Sequence, residues 1–290
     1  MFKGSFVAIV TPFRDGEIDE RTYADLIEFQ IREGTHGIVP CGTTGESATL
    51  SHKEHERVIE MTVDIVNRRV PVIAGTGSNS TAESIMLTKH AKSAGTDAVL
   101  LITPYYNKPT QEGLYQHFKM IAESVDIPQF LYNVPGRTGV NMLPDTVERL
   151  SRIKNIIGIK EATGDLRQVS DVIALCGDNF IVLSGDDFTT FPLLIVGGMG
   201  VISVTANIVP GDVASLCNEF FRGNIEKAKN IHYRLRSLNE AMFYETNPIP
   251  VKTALSLMGK VSGEMRLPLC QMSEKNLERL KGAMKQYKLI

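Results

Sequence analysis

The 290-residue sequence predicts an α/β fold, a (β/α)8 TIM barrel carrying a C-terminal helical extension. Three observations lead there. Eight short apolar runs recur at spacings of about twenty to thirty-five residues, each followed by a helical pattern. Strands alternating with helices imply parallel pairing, and eight such units are what a barrel of this kind requires. Beyond about Gly223 the strand signals stop and helical periodicity takes over. A doubly wound open sheet is the rival, but it normally uses fewer strands, and no Gly-x-Gly-x-x-Gly follows the first run.

In chain order the strands fall at residues 6–10, 37–40, 70–74, 98–103, 129–133, 156–160, 180–184 and 200–204. Several of the intervening helices open with capping signatures, such as Ser51 with Glu54 and Ser80 with Glu83. The late helices cover residues 224–243, 250–258 and 273–287. Between the first two of these, Asn247-Pro248-Ile249-Pro250 breaks the chain and presets the entry of the next helix. The expected organisation is a catalytic barrel over residues 1–224 and a helical domain over residues 225–290.

Composition bounds the function without choosing it. Hydrophobic residues make up 43% and charged residues 22%, as in ordinary soluble domains. A net charge of -2 gives no electrostatic case for nucleic acid or an anionic membrane. The longest apolar stretches are far short of a membrane span, and the N-terminus lacks a signal-peptide pattern, so a cytoplasmic location is expected. Cys41, Cys176, Cys217 and Cys270 are far apart with no ligand spacing and read as reduced, buried small residues. His52 and His55 lack the carboxylate of a zinc motif, so no catalytic metal is expected.

The most informative residue is Lys160, which closes the apolar run Ile156-Ile157-Gly158-Ile159. An amine at the end of a buried strand is costly as a cation, and a neutral lysine is a nucleophile whose usual partner is a carbonyl. The plainer reading is a lysine that ends a strand and reaches back to water. In a barrel, catalytic groups lie at the C-terminal ends of the strands, and the sequence places polar residues there: Thr43 and Thr44 after the second, Tyr106 after the fourth, Tyr132 and Arg137 at the fifth. Schiff-base chemistry needs a hydroxyl relay, which Tyr132 with Thr43 supplies, and Arg137 offers a fork for a carboxylate. Each also has an ordinary explanation, as core aromatic, cap or surface cation.

The segments GTTGES, PYYNKPTQEGLYQHF, LYNVPGRTG, IIGIKEATG and LSGDD, with NPIPVKTAL and RLPL further on, together resemble the dihydrodipicolinate synthase family of class I pyruvate aldolases. That resemblance implies condensation of pyruvate with L-aspartate 4-semialdehyde to 4-hydroxy-tetrahydrodipicolinate, in lysine and diaminopimelate biosynthesis. It implies an imine between Lys160 and pyruvate, with no cofactor. Tyr132, Thr43 and Tyr106 match the proton relay, the last lent across a subunit interface of a homotetramer. Thr44 matches the pyruvate carboxylate contact, Arg137 the semialdehyde carboxylate contact, and Gly185 and Ile202 backbone contacts in the pocket. Sister aldolases acting on N-acetylneuraminate or keto-deoxy sugar acids are disfavoured by the paired threonines and by Arg137.

Ser47, Ala48, Leu50, His52, His55, Asn79, Glu83 and Tyr105 match the feedback site for lysine in lysine-sensitive members. Glu83 suits an ammonium, and Asn79 and Tyr105 suit a carboxylate. The alternative is that Glu83 completes a capping box while His52 and His55 lie on a solvated helix face. A non-catalytic amino-acid-binding barrel would have lost Lys160, Tyr132 or a relay threonine, and none is lost. A phosphate-handling barrel is suggested only by the glycines of Gly197-Gly198-Met199-Gly200, which equally suit close packing before the eighth strand.

Overall fold

The computed structural model describes residues 2–290. Its parallel strands are β1 (Gly4–Ala8), β2 (Gly37–Val39), β3 (Ile73–Gly75), β4 (Ala98–Ile102), β5 (Gln129–Asn133), β6 (Ile156–Glu161), β7 (Ile181–Ser184) and β8 (Gly200–Ser203). They join in one sheet in the order β2-β1-β8-β7-β6-β5-β4-β3, which is chain order around a ring and therefore a (β/α)8 barrel. The helices are α1 (Glu20–Arg32), α2 (His52–Val66), α3 (Thr81–Ala94), α4 (Gln111–Ser124), α5 (Pro135–Thr138), α6 (Pro144–Ser151), α7 (Leu166–Cys176), α8 (Thr190–Ile195), α9 (Pro210–Phe221), α10 (Ile225–Ala241), α11 (Ile249–Leu257) and α12 (Glu274–Gln286).

The chain divides into two compact units. In the first, which holds Pro71–Ile202 and the N-terminal residues up to Gly4, β3 to β8 each pair in parallel with the next. Interior strands of such a sheet are covered on both faces, hence the unbroken apolar runs such as Ala98-Val99-Leu100-Leu101. In the second unit, Ser5–Val70 and Ser203–Ile290, β1 pairs with β2, and a short antiparallel pair links Phe13–Arg14 to Glu17–Ile18. This unit also holds α1, α2 and the late helices α9 to α12.

All eight expected strands are present, and their ends move for identifiable reasons. Ile9 and Val10 are fully buried yet lie beyond β1: the Ile9 N–H still reaches Val39 O of β2 at 3.2 Å, but the Val10 N–H donates to the Asn207 side chain at 3.2 Å instead of a neighbouring strand. Before β3, the Val72 N–H is taken by the Asp97 carboxylate at 2.8 Å. Apolarity therefore marked burial, whereas strand limits follow where backbone donors go. The late helices start and stop within two residues of their expected limits.

Capping chemistry is realised in part. Ser51 and Glu54 form the full reciprocal box at the start of α2. At α3, Ser80 accepts from the Glu83 N–H at 3.4 Å, but the Glu83 carboxylate accepts from the Ser78 hydroxyl instead of closing the box. Of the cysteines, Cys41 and Cys217 are buried and Cys176 half-buried; Cys270 departs from the expectation and is exposed, in the connection between α11 and α12. The Gly197 to Gly200 run has a packing cause: a Cβ on Gly198 would sit 1.9 Å from Leu193 Cδ2, and one on Gly200, at φ +152°, 2.0 Å from Gly4 O. Among the described residues no helix is long and apolar enough to cross a membrane.

Candidate active site

In the first unit, Lys160 lies one residue before the end of β6, with Tyr132 of β5 and Leu183 of β7 beside it in register. Side chains at paired positions of a parallel sheet project to the same face. Accordingly Lys160 Nζ stands 4.2 Å from the centroid of the Tyr132 ring, and both residues are buried, at 6% and 7% exposure. Lys160 therefore does not snorkel to water, and Tyr132 is the wall against which its amine rests.

Gly185, just past β7, makes the space that this amine needs. A Cβ there would fall 2.6 Å from Ala162 Cβ and 3.0 Å from Lys160 Cε, while the Gly185 N–H is tied to Glu161 O at 2.7 Å. Ile202 is buried on β8. Arg137 lies exposed on the single turn α5, which Pro135 opens directly after β5. Tyr106 is 90% exposed and holds φ +70°, a left-handed conformation that a bulky residue seldom adopts.

Sequence reading missed Glu161. Strand alternation sends it to the face opposite Lys160, where it is buried and its carboxylate accepts from Thr163 N (2.9 Å), Asn133 Nδ2 (3.2 Å) and Gln168 Nε2 (3.3 Å). Burial raises its pKa above the usual carboxylate range, against those donors. Thr103 and Thr138 were also passed over. Their buried hydroxyls bond each other at 3.3 Å, and the Thr103 N–H donates to Tyr132 O at 2.9 Å.

The second unit holds Thr43 and Thr44 in the turn after β2. That turn is closed by Gly45 N to Gly42 O and Glu46 N to Thr43 O, each 3.1 Å, with Cys41 and Glu46 at φ +54° and +53°. Thr44 is buried, and its Oγ1 accepts from Asn247 Nδ2 at 3.0 Å. Glu46 forms a fully buried ion pair with Lys252 at 2.5 Å. Lys252 also donates to Thr11 O at 2.9 Å and stands 4.3 Å from the Phe13 ring centroid. The remaining Glu46 oxygen accepts from Arg266 N at 3.1 Å. Glu46, Asn247, Lys252 and Arg266 all lie inside segments that stood out in the sequence, yet none signalled its role locally.

The residues matched to a lysine site divide between the units. In the first, Asn79 Nδ2 donates to Tyr105 O at 3.2 Å and Asn107 Nδ2 to Asn79 O at 2.9 Å, while Glu83 opens the first turn of α3. In the second, Ser47, Ala48 and Leu50 lie in and just after a 3-10 turn. His52 is exposed, but His55 is buried, so the two do not share a solvated face. The Arg266 guanidinium donates to Thr49 O at 3.0 Å and pairs with Glu54, holding the Glu54 carboxyl down to about 2. Among the described residues no cluster of His, Cys, Asp and Glu has the arrangement of a metal site.

The sequence profile of the dihydrodipicolinate synthetase family matches residues 1–287. A 4-hydroxy-tetrahydrodipicolinate synthase of Thermodesulfovibrio yellowstonii is 63% identical over 290 residues, covering 100% of both chains. A crystal structure of dihydrodipicolinate synthase from Acinetobacter baumannii complexed with pyruvate superposes with a TM-score of 0.98 at 49% identity, covering 100% of both chains. The dihydrodipicolinate synthase of Cyanidioschyzon merolae with lysine bound superposes at 0.97 with 40% identity, over 100% of this chain and 99% of that one.

Proposed function

The chain belongs to the dihydrodipicolinate synthetase family, and from that premise we propose that Lys160 is the Schiff-base nucleophile of a 4-hydroxy-tetrahydrodipicolinate synthase. The enzyme condenses pyruvate with L-aspartate 4-semialdehyde, and lysine inhibits it by feedback. The observation that carries the reading is the buried Lys160 amine against the Tyr132 ring, in the room left by Gly185.

The chemistry follows from those parts. Lys160 Nζ adds to the pyruvate carbonyl carbon, and loss of water gives an iminium ion. Deprotonation at the methyl carbon gives the enamine, whose carbon attacks the aldehyde of the second substrate. The alkoxide so formed takes up a proton, and the amine of the adduct then adds to the iminium carbon and expels the Lys160 amine, closing the ring and freeing the enzyme. The iminium is itself the electron sink, so the reaction asks for no cofactor. Tyr132, Thr43 and Tyr106 move the protons, Thr44 holds the pyruvate carboxylate, and Arg137 that of the semialdehyde. Gly185 and Ile202 line the pocket with backbone. A single hydroxyl placed for such proton transfer contributes roughly 10²–10⁴-fold in rate.

Tyr106 acts in a neighbouring subunit of a homotetramer. Its exposure and left-handed backbone support that role, since a lone aromatic held in solvent at a strained dihedral gains nothing within its own chain. Response to lysine is assigned to Asn79, Glu83 and Tyr105 in the first unit and to Ser47, Ala48, Leu50, His52 and His55 in the second. The enzyme works in the cytoplasm.

The test is pyruvate-dependent consumption of L-aspartate 4-semialdehyde by the purified protein, with Lys160→Ala as blank. Borohydride with pyruvate should add the mass of a reduced imine to the wild type alone. Trapping without semialdehyde turnover would move the assignment to a sister aldolase; no trapping would remove Lys160 from its role.

A further inference from the structure

Two polar side chains of the Asn247 to Lys252 segment reach the turn that carries Thr43 and Thr44. Lys252 holds the Glu46 end of that turn. Asn247 touches Thr44 itself, Nδ2 to Oγ1 at 3.0 Å, across a sequence separation of 203. Both partners are buried, at 4% and 3% exposure, so bulk water does not compete for the contact.

The chemistry of that bond is directional. A side-chain amide nitrogen only donates, so the Thr44 oxygen accepts from it and the hydroxyl proton turns elsewhere. A substrate carboxylate only accepts. A threonine left free to rotate would spend part of its time with its proton aimed wrongly, whereas one that already accepts a hydrogen bond is set to donate.

We propose that Asn247 is a positioning residue for pyruvate: its amide fixes the Thr44 hydroxyl as a donor toward the substrate carboxylate. The inference rests on the reading of Thr44 as the carboxylate contact. It makes the segment leading into α11 part of the determinants of pyruvate affinity.

The test compares Thr44→Val, Asn247→Ala, Asn247→Asp and the double variant Thr44→Val/Asn247→Ala. Steady-state kinetics give KM for each substrate and kcat, and borohydride trapping at graded pyruvate gives imine occupancy without turnover. Loss of one such hydrogen bond predicts a pyruvate KM raised about tenfold in Asn247→Ala, with the semialdehyde KM and kcat within about threefold, and a pyruvate KM raised at least as far in Thr44→Val. Asn247→Asp, nearly isosteric, presents an acceptor that captures the Thr44 proton and adds like charge, and should be weaker still for pyruvate, by about a hundredfold. The double variant should be no worse than Thr44→Val, since Asn247 acts through that hydroxyl.

A wild-type pyruvate KM in Asn247→Ala, additive effects in the double variant, or an Asn247→Asp enzyme no weaker than Asn247→Ala would each overturn the proposal. So would equal losses in both KM values with a lowered melting point, the mark of a merely structural residue. An unchanged pyruvate KM in Thr44→Val would instead remove the reading of Thr44 on which the proposal rests. Should Asn247→Ala fail to fold, Asn247→Asp and its trapping curve decide.

Discussion

Replacing Lys252 by Met should destabilise the protein far more than replacing its partner Glu46 by Gln, and the double replacement should recover most of the loss. Both side chains of the pair are 0% exposed. Truncating Lys252 leaves the Glu46 carboxylate in that dry setting with the Arg266 N–H at 3.1 Å, and strips Thr11 O of the ammonium at 2.9 Å. An uncompensated buried charge costs about 3–5 kcal/mol. At roughly 2–3 °C per kcal/mol for a chain of this size, the melting point should fall by about 6–15 °C. Glu46→Gln is milder, because the amide oxygen can still accept from Lys252 and the other bonds of the ammonium stay in place. In Glu46→Gln/Lys252→Met no charge remains, the Met stem still packs on Phe13, and more than half of the drop should return. Differential scanning calorimetry on the four proteins at one subunit concentration measures this. A Lys252→Met protein within 2 °C of wild type, or a double variant no more stable than Lys252→Met, would show that stranded charge is not what the pair guards against.

Gly185→Ala should cost about a hundredfold in kcat with the fold intact by circular dichroism, because the added methyl meets Lys160 Cε at 3.0 Å and misplaces the amine; activity within threefold would mean the amine has room to yield. Glu83→Ala should abolish lysine inhibition, read as initial rate against lysine concentration, and unchanged sensitivity would defeat the assignment of that site. His117, bonded through Nδ1 to the Thr81 hydroxyl at 2.9 Å, is depressed by burial to about 4 from an ordinary value near 6.5. The unfolded chain thus takes up a proton first as pH falls, so the His117 contribution to stability should drop by roughly 2–3 kcal/mol between pH 6.5 and 4 and change no further below. His117→Gln should lose that part of the slope in urea titrations; an identical slope would refute it.

The barrel and the buried lysine were legible because their signals are local. Parallel strands covered on both faces must be apolar throughout, so the eight runs could be counted. A lysine ending one of them stood out as a group that burial would have to justify. Tyr132 was legible for the same reason, at the matching end of the preceding strand. What the sequence concealed is long-range. Asn247 and Thr44 are 203 positions apart, Lys252 and Glu46 206, and no periodicity joins them. The prolines around Asn247 announced a chain break, and Glu46 passed as an ordinary polar loop residue. The burial of His55 was within reach of the sequence, because it stands at helical spacing with Val58, Ile59, Thr62 and Val66 on the buried stripe of α2, whereas its residue type alone suggested a solvated face.

Glu161 explains why the Lys160 and Tyr132 pair can hold its spacing on strands, without loops to set it. In β5 and β6, Tyr132 stands opposite Lys160, and one step further Asn133 stands opposite Glu161. The inward pair bears the Lys160 amine. The outward pair is bonded side chain to side chain at 3.2 Å, with Gln168 of α7 and the Thr163 N–H as further donors to the same carboxylate. A slip of one residue between these strands would send Lys160 to the helix-covered face and bring Glu161 to the inner one, stranding three donors and a buried acid at once. The polar cluster behind the sheet therefore penalises every register but one. That register is the one in which the Lys160 amine lies against the Tyr132 ring in the room left by Gly185. A cost incurred on the outer face, the burial of Glu161, thus fixes a distance on the inner one, and the precision of the site is a property of the sheet.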